Sequence, residues 1–320
     1  MDISNRPKNA RRDKELVSYA QNCEDILLWR ALGEISEGFY IDIGANDPNS
    51  DSVTRLFYEA GWSGINVEPV NQWLDILEKE RPRDINLKVL TGAGESVTRF
   101  FEVVEDTRLS TTKRDIAEQH QRELGYHINE YEVACTTLSA ICEQHVRKPI
   151  QFLKIDVEGG ERAVLDGLDL TRVRPWIIVI ESTLPCSSEE NYSDWEHLVL
   201  GADYSFVFFD GLSRYYVAKE HPELKKHFTS PANIQDSFIT AHAVQIREKI
   251  YHLEALVGSH AKTITHYEEA ITHHEGTIAQ CQGRITECEA EIREYRESLS
   301  WKLTKPLRSV VKLLGKSKQG

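Results

Sequence analysis

Several features that would direct a fold or a location are scarce in this chain of 320 residues. Its six cysteines form no Cys-x-x-Cys pair and no metal-ligand spacing, which favours reduced thiols over a disulfide framework or a zinc site. No apolar run approaches the roughly eighteen residues that cross a membrane. The polar residues 1–15 do not resemble a signal peptide. These absences predict a cytoplasmic protein whose residues 1–15 are disordered.

Basic residues are also in deficit, with 38 Lys and Arg against 51 Asp and Glu and a formal net charge of -13. Binding to phosphate backbones needs a positive footprint, so we expect no nucleic-acid partner. The hydrophobic content of 40% is enough for a core, and the length allows one large domain plus an extension.

The stretch from Gly38 to Pro69 has the pattern of a strand, a helix and a second strand. Phe39 to Ile43 is apolar and is closed by Gly44-Ala45-Asn46, turn-forming residues that let backbone approach a ligand. The second apolar run ends on Glu68, and an acid at this place in a βαβ unit can accept both ribose hydroxyls of a nucleoside. Because the pattern Gly-x-Gly-x-x-Gly is absent, the predicted ligand is a nucleoside without a diphosphate, such as S-adenosylmethionine (SAM). The alternative is an ordinary strand, helix and strand with a surface glutamate.

Charged residues gather at the end of another apolar strand, predicted over 150–157. Lys154 and Asp156 lie on one face of it, and Glu158 follows at its carboxyl end, where open α/β sheets bind ligands. Carboxylates placed together need a compensating cation, which a sulfonium, a divalent metal or Lys154 would supply. We interpret Asp156 or Glu158 as the candidate general base of this site. The alternative is that Asp156 only caps a helix starting near Gly160.

Acids also end other strands. Asp42, Glu68 and Glu181 close three of them and Asp156 lies on a fourth, which predicts a row of acids along one sheet edge. Patterning further predicts helices over 16–32, 51–60, 71–79, 136–146 and 193–200, strands over 85–90, 97–104 and 175–181, and a hairpin of 204–209 with 214–218. Residues 105–130 lack regular signals and are predicted to be either a lid over the substrate or disordered.

Three segments in this order resemble the FkbM family of SAM-dependent O-methyltransferases: Tyr40-Ile-Asp-Ile-Gly-Ala-Asn-Asp-Pro, Gly61-Trp-Ser-Gly-Ile-Asn-Val-Glu-Pro and Phe152-Leu-Lys-Ile-Asp-Val-Glu-Gly-Gly-Glu. Flanking segments, Ser18-Tyr-Ala-Gln-Asn-Cys-Glu-Asp and Asp210-Gly-Leu-Ser-Arg-Tyr-Tyr-Val, are similar as well, so that the resemblance covers roughly residues 16 to 238. One departure is Ser213, where the family pattern leads us to expect Asn.

The resemblance implies an α/β fold, a doubly wound class I methyltransferase (Rossmann-like) domain, which we place over residues 16–240. It implies SAM as cofactor and methylation of a hydroxyl, most often on a sugar or polyketide. The cofactor-binding residues then expected are Asp42, Gly44, Asn46, Glu68, Gln21 and Asp25. In the family the turn containing Gln21 and Asp25 lies over the cofactor. The alternative for this turn is a helix N-cap by Asn22.

From Ile246 onward the apolar positions step alternately by four and three residues as far as Leu299. This spacing predicts a long parallel coiled coil over 243–299, with Ile at most a positions. Three g-to-e′ pairs of opposite charge favour a parallel homo-oligomer: Lys249 with Glu254, Arg284 with Glu289, and Glu291 with Arg296. β-Branched a positions favour a dimer, whereas His and Tyr at d fit a trimer, so both remain open.

Residues 300–320 contain six basic residues and no acid. Apolar and basic side chains alternate from Trp301 onward, which is typical of an amphipathic helix on an anionic membrane surface. The alternative is a capping segment that folds back or binds a partner protein.

Together these features predict an enzyme at the inner face of the cell membrane that methylates a sugar hydroxyl on a glycan or lipid-linked glycan of a bacterial surface polysaccharide. Such methylation would terminate elongation, and a glycosyltransferase is a candidate partner. One alternative is a non-catalytic scaffold that recruits polysaccharide-synthesis enzymes. Another is a small-molecule methyltransferase for a polyketide or antibiotic, which would leave the coiled coil unexplained.

Overall fold

The computed structural model describes residues 15–184 and 187–316, with side chains as far as residue 311. The predicted disorder of 1–15 therefore falls almost wholly outside the described residues, as do the last four residues of the predicted basic tail. The chain divides between Val244 and Gln245 into two compact units.

The strands are β1 (Leu16–Ser18), β2 (Phe39–Ile43), β3 (Ser63–Val67), β4 (Ile85–Leu87), β5 (Leu90–Thr91), β6 (Ser96–Val103), β7 (Ile128–Thr136), β8 (Phe152–Ile155), β9 (Ile177–Glu181), β10 (Tyr204–Phe209), β11 (Ser213–Ala218) and β12 (Phe238–Thr240). The α-helices are α1 (Glu24–Leu32), α2 (Arg55–Glu59), α3 (Asn71–Glu80), α4 (Arg114–Leu124), α5 (Leu138–His145), α6 (Glu161–Asp166), α7 (Glu196–Gly201), α8 (Ala241–Glu297), α9 (Leu299–Leu303) and α10 (Lys305–Lys316).

The central sheet has seven strands in the order β10-β11-β9-β8-β2-β3-β4. Strands β4, β3, β2, β8 and β9 are parallel, and β11 runs antiparallel to both β9 and β10. This confirms the predicted parallel sheet ending in an antiparallel hairpin. The carboxyl ends of the parallel strands therefore meet at one edge, which is where ligands bind in such sheets.

Side chains alternate between two apolar layers on the opposite faces of this sheet. In β2, Ile41 and Ile43 pack on one face and Tyr40 on the other. Helices α5 and α6 contribute to the first layer, whereas α1 and α2 contribute to the second. Strands buried on both faces read as continuous apolar runs, which is why the sequence revealed them.

The beginning of the first unit differs from the prediction of one helix over 16–32. Residues Leu16–Ser18 are instead a strand that pairs in parallel with Phe238–Thr240, and α1 begins only at Glu24. The carboxylate of Asp25 accepts hydrogen bonds from the Ser18 hydroxyl and from two backbone amides of the intervening turn. The helical spacing of this segment was misleading because its strand partner lies more than two hundred residues away in the sequence.

The segment predicted as an irregular lid is largely ordered secondary structure. It contains a 3₁₀ turn at Thr107–Leu109 and α4, and it ends in β7, which pairs antiparallel with β6. Strand β5 joins β7, so the predicted strand over 85–90 is in fact divided between two sheets. No apolar periodicity marked α4 as a helix, because only Ala117 and His120 of that helix are buried.

The second unit consists of α8 from Gln245 onward, together with α9 and α10. Helix α8 has 57 residues, none of which is buried along the described helix. A side-chain cap by Ser298, which accepts from the Trp301 amide, starts α9. The long helix agrees with a predicted extension, while its coiled-coil pairing stays a prediction. Among residues 15–184 and 187–316, no helix is both long and apolar enough to span a bilayer.

Candidate active site

The carboxyl ends of β2, β3, β8 and β9 open into a cavity of about 1000 Å³. Six of the residues singled out from the sequence line it: Gln21, Gly44, Asn46, Glu68, Asp156 and Glu158. Lys154 and Glu181 line it as well. This volume is at the upper end of the range for ligand pockets, so there is room for a cofactor and part of an acceptor.

Gly44 allows the ends of β2 and β8 to approach closely. Its φ is +81°, and a Cβ atom there would lie 1.8 Å from the carbonyl oxygen of Asp156. The amides of Gly44 and Ala45 both donate to the carbonyl of Val67 on the neighbouring strand. Only glycine fits, because any side chain would collide with backbone in addition to adopting an unfavourable conformation. The loop after β2 is therefore a backbone cradle at the cavity wall.

Glu68 is the acid expected to bind the ribose, and it is only 4% exposed. Its Oε2 accepts from the Asn46 amide at 2.7 Å and its Oε1 accepts from the Val70 amide at 2.8 Å. Each oxygen retains a lone pair for a further donor, which is what two ribose hydroxyls require. Burial raises the pKa of Glu68 to about 7, although these two hydrogen bonds oppose the shift.

Asp42 is not one of the described residues that line the cavity, although the sequence analysis predicted that it binds the cofactor. It is 1% exposed and accepts from the Thr54 hydroxyl at 3.1 Å. Lys154 bridges it to the cavity, because its Nζ lies 3.3 Å from a carboxylate oxygen of Asp42 and 3.3 Å from one of Asp156. Asp42 therefore acts on the site through Lys154.

Lys154 also donates to the carbonyl of Gly44 at 3.0 Å. Burial lowers the pKa of this ammonium, but the charges of Asp42 and Asp156 outweigh that effect and raise the pKa overall. A lysine paired with two carboxylates stays protonated and fixes both of them. Lys154 thereby joins the loop at Gly44 to the carboxyl end of β8.

Three carboxyl groups converge at the ends of β8 and β9: Asp156, Glu158 and Glu181 each offer an oxygen within 4.8 Å of the others. Burial, and then the charge of Asp156, raises the pKa of both Glu158 and Glu181. The Oε2 atom of Glu158 is buried without a hydrogen-bond partner among the described residues. This group, the carboxylate cluster, must hold protons or face a cation, because like charges at this separation repel.

The alternative interpretation of Asp156 as a helix cap is wrong. The N-cap of α6 is Gly160, and no side chain caps this helix. Instead, Glu161 accepts from the amides of Val157 and Gly159. The Asp156 side chain remains 35% exposed, which leaves it available to an acceptor in the cavity.

In the turn before α1, Gln21 lines the cavity but Asp25 does not. Asp25 is fully buried, and burial raises its pKa to about 6 while four donors of the turn lower it. The predicted N-cap by Asn22 is also wrong, since the N-cap residue is Cys23 and the Asn22 side chain donates to the carbonyl of Asp210. This bond ties the turn to the hairpin β10–β11, whose Gly211 also lines the cavity.

Residues of the segment 105–130 form one wall of the cavity. The sequence analysis did not predict which individual residues of this segment line it. Thr107, Arg108, Leu109 and Tyr126 lie there, and the indole nitrogen of Trp73 from α3 donates to the Thr107 hydroxyl. No motif marked them, because they are distant in sequence from the strand ends. The only signal was the length of the interval without periodicity.

Comparison with protein families identifies a methyltransferase domain in this chain. A model of the methyltransferase FkbM domain matches residues 42–208, slightly more than half of the chain. A TehB-like SAM-dependent methyltransferase from Corynebacterium glutamicum is a distant structural neighbour, with 10% identity and a TM-score of 0.34 over 61% of this chain and 88% of that chain. No curated protein sequence matches the chain. The chain belongs to the FkbM methyltransferase family.

Proposed function

We propose that this protein is a SAM-dependent O-methyltransferase that acts on a sugar hydroxyl during synthesis of a bacterial surface polysaccharide. Family membership supports a SAM-dependent methyltransferase, and the choice of a hydroxyl acceptor goes beyond it. The observation that carries this choice is a cradle with a ribose-binding acid beside the carboxylate cluster in one cavity.

The residues of the cavity fit the cofactor. Bound SAM supplies a methyl group on a positively charged sulfur. Glu68 offers two partly used carboxylate oxygens to the ribose hydroxyls, and the Gly44 cradle admits ligand close to backbone. Acids outnumber bases in the cavity. Lys154 pairs with Asp42 and Asp156, and Arg108 pairs with Asp51 and Asp106, but the remaining carboxyl groups of the cluster favour a cationic ligand.

For methyl transfer, the acceptor oxygen forms a bond to the methyl carbon while the bond between that carbon and sulfur breaks. The hydroxyl proton passes to a carboxylate within hydrogen-bond reach. Of the two predicted bases, Asp156 is the better placed, because it is partly exposed to the cavity and its orientation is fixed by Lys154. Glu158 is more deeply enclosed and supports Asp156 by sharing protons within the cluster.

Calorimetric titration of SAM and S-adenosylhomocysteine (SAH) tests the cofactor site. We expect micromolar binding that Glu68→Ala weakens at least about ten-fold, since two hydrogen bonds to a charged group are lost. Glu105→Ala is the matched control, because Glu105 also lines the cavity but lies outside the cradle. Failure of the wild-type chain to bind either ligand would favour the alternative of a non-catalytic scaffold.

The acceptor is tested by incubation with SAM and a panel of free sugars, lipid-linked glycans and polyketides. A product carrying one added methyl on oxygen, identified by mass and by its carbon chemical shift, supports the proposal. Asp156→Asn should abolish that product while SAH still binds. Methylation confined to polyketides would instead favour the small-molecule alternative.

A divalent cation is a subsidiary proposal for the same cluster, which has the oxygen ligands that Mg²⁺ and Mn²⁺ prefer. Removal of metal by a chelator should then lower methyl transfer, with recovery on adding Mn²⁺. Undiminished methyl transfer in the presence of the chelator would show that protons and Lys154, without a metal ion, compensate the charge of the carboxylate cluster.

We further propose that α8 joins copies of the chain in a parallel coiled coil and that the basic helices after it bind anionic lipid at the inner membrane face. The apolar stripe of α8 is exposed along its length, and Arg308 stacks over Trp301 in a basic segment. Co-sedimentation of the full chain with liposomes tests this. Binding that is indifferent to the content of anionic lipid would remove the membrane proposal.

A further inference from the structure

A short segment, residues 107–111, contacts both ends of the site, and we call it the tie segment. It starts at the 3₁₀ turn Thr107–Leu109 and ends where Thr111 pairs with Phe101 through two backbone hydrogen bonds. The Ser110 hydroxyl accepts from the Val103 amide. These bonds hold the tie segment against β6.

At the cofactor end, Thr107 contacts the loop that holds Glu68. Its hydroxyl donates to the side-chain oxygen of Asn46 at 3.2 Å and accepts from the indole nitrogen of Trp73 at 2.7 Å. Asn46 has a φ of 48°, and its amide donates to Glu68. Thr107 therefore supports the residue that presents the ribose-binding carboxylate.

At the catalytic end, Thr111 contacts the carboxylate cluster. Its hydroxyl donates to the carbonyl of Glu158 at 2.8 Å. Glu158 has a φ of 51°, a left-handed conformation that is costly for glutamate and persists only where the surroundings impose it. Thr111 is 1% exposed, so water does not replace this donor.

We infer that Thr107 and Thr111 are positioning residues, through which the cofactor end and the catalytic end of the cavity are held in one arrangement. Occupancy of the Glu68 site stabilises Asn46 and Thr107, and the tie segment carries that stabilisation to the backbone of Glu158. The inference rests on the proposed function in assuming that SAH binds at Glu68.

Hydrogen exchange measured by mass spectrometry, with SAH as the probe and the full chain as the sample, tests this. In the wild-type chain SAH should slow amide exchange in both 107–111 and 156–161. Thr107→Val should weaken SAH binding about five-fold, the equivalent of one hydrogen bond, and reduce the slowing in both segments.

Thr111→Val should behave differently, leaving SAH affinity within about two-fold and the slowing in 107–111 intact. The slowing in 156–161 should disappear. Thr111→Ser and Thr107→Ser, which keep the hydroxyl, should restore wild-type behaviour, which a purely steric role of threonine would not predict. Thr98→Val, the same change at a β6 residue that is not among the lining residues of the cavity, is the control and should leave both the SAH affinity and the slowing unchanged.

Wild-type binding of SAH without slower exchange in 156–161 would overturn the inference and leave the proposed function standing. Persistence of that slowing in Thr111→Val, with an unchanged melting temperature, would overturn it as well. Absence of SAH binding by the wild-type chain would overturn the proposed function and the inference with it.

Discussion

The two units differ in how far their large apolar side chains are exposed to solvent. In the unit before Gln245, Ile41, Phe152 and Ile178 are fully buried in the layers of the sheet. In α8, Ile250 is 48% exposed and Ile278 56% exposed, and other apolar side chains of the same stripe are exposed to similar degrees. The apolar side chains of the first unit are buried by other residues of the same chain. In the second unit a long apolar stripe lies exposed on a single chain, and this exposure is the basis of the proposed coiled coil.

The largest effect that would sharpen this comparison is expected in the sheet. Ile41→Ala should lower the free energy of unfolding of the first unit by about 2–5 kcal/mol, because it leaves a cavity in a fully buried layer. Denaturant unfolding followed by tryptophan fluorescence measures it, and the shift should be the same at every protein concentration. A loss below about 0.5 kcal/mol would mean that the layer is loosely packed.

The next effect concerns α8. Ile271→Asp with Ile278→Asp should abolish self-association, because charges at successive a positions cannot be buried between helices. Sedimentation equilibrium measures the mass, and Gln280→Asp, at an outer position of the same heptads, should leave it unchanged. A wild-type chain that is monomeric at all concentrations would break the comparison by leaving the stripe without a partner copy.

A smaller effect follows from Glu68, whose pKa burial raises to about 7 from the ordinary value of 4.5. Ribose hydroxyls donate to the ionised form, so SAH affinity should fall as the pH drops below 7, approaching about ten-fold per unit. The charge of Lys154 lowers the pKa of Glu68 and the charge of Asp42 raises it, so the two effects oppose each other. Burial raises the pKa of the nearby Tyr131, which therefore remains protonated over this pH range. Titration between pH 8 and pH 5.5 measures the affinity, and Glu68→Gln should bind weakly without this dependence.

The raised pKa of Glu68 also predicts how the free energy of unfolding of the unliganded chain depends on pH. Because the folded-state pKa lies above the unfolded value, the folded state binds more protons between about pH 4.5 and pH 7. The contribution of Glu68 is therefore present at low pH and is lost as the pH rises through 7. Glu68→Gln should remove this contribution, and an unchanged pH profile of the melting temperature would contradict the assignment.

The smallest effect is expected in the basic segment after α8. Lys305→Gln should weaken binding to anionic liposomes about five-fold, since one basic residue near such a surface contributes about 1 kcal/mol. Ser309→Gln is the control on the same helix. Equal binding of both variants would indicate that apolar side chains or a protein partner, rather than charge, attach this segment.

Much of the sheet was predictable because its strands are buried on both faces and contain few polar residues. The sequence placed Phe39–Ile43 correctly to the residue, and it placed the carboxyl-end acids on neighbouring strands. It did not predict that Asp42 would face Lys154 while Asp156 faces the cavity. That depends on the close approach of β2 and β8 at Gly44, which strand patterns do not encode.

The segments predicted least well are those whose partners are far away in the chain. The pairing of Leu16–Ser18 with Phe238–Thr240 and the three-stranded sheet of β5, β6 and β7 are both contacts of this kind. Thr111 was predicted only as part of a segment that could be a lid or disordered, and Thr107 was not singled out, since each hydroxyl finds its partner in a part of the chain that is distant in sequence. A local sequence pattern does not predict contacts between residues that are distant in sequence.

By itself the sequence determined the layered α/β architecture, the acid Glu68 at the end of β3, the charged end of β8 and the heptad spacing of α8, because each follows from a local pattern of apolar and polar residues. Only the tertiary structure decided that Asp156, Glu158 and Glu181 meet within 4.8 Å and that Asp25 serves the turn instead of lining the cavity. The physical reason is that burial and distance between side chains are set by how strands and loops pack, and these quantities govern the protonation of carboxyl groups.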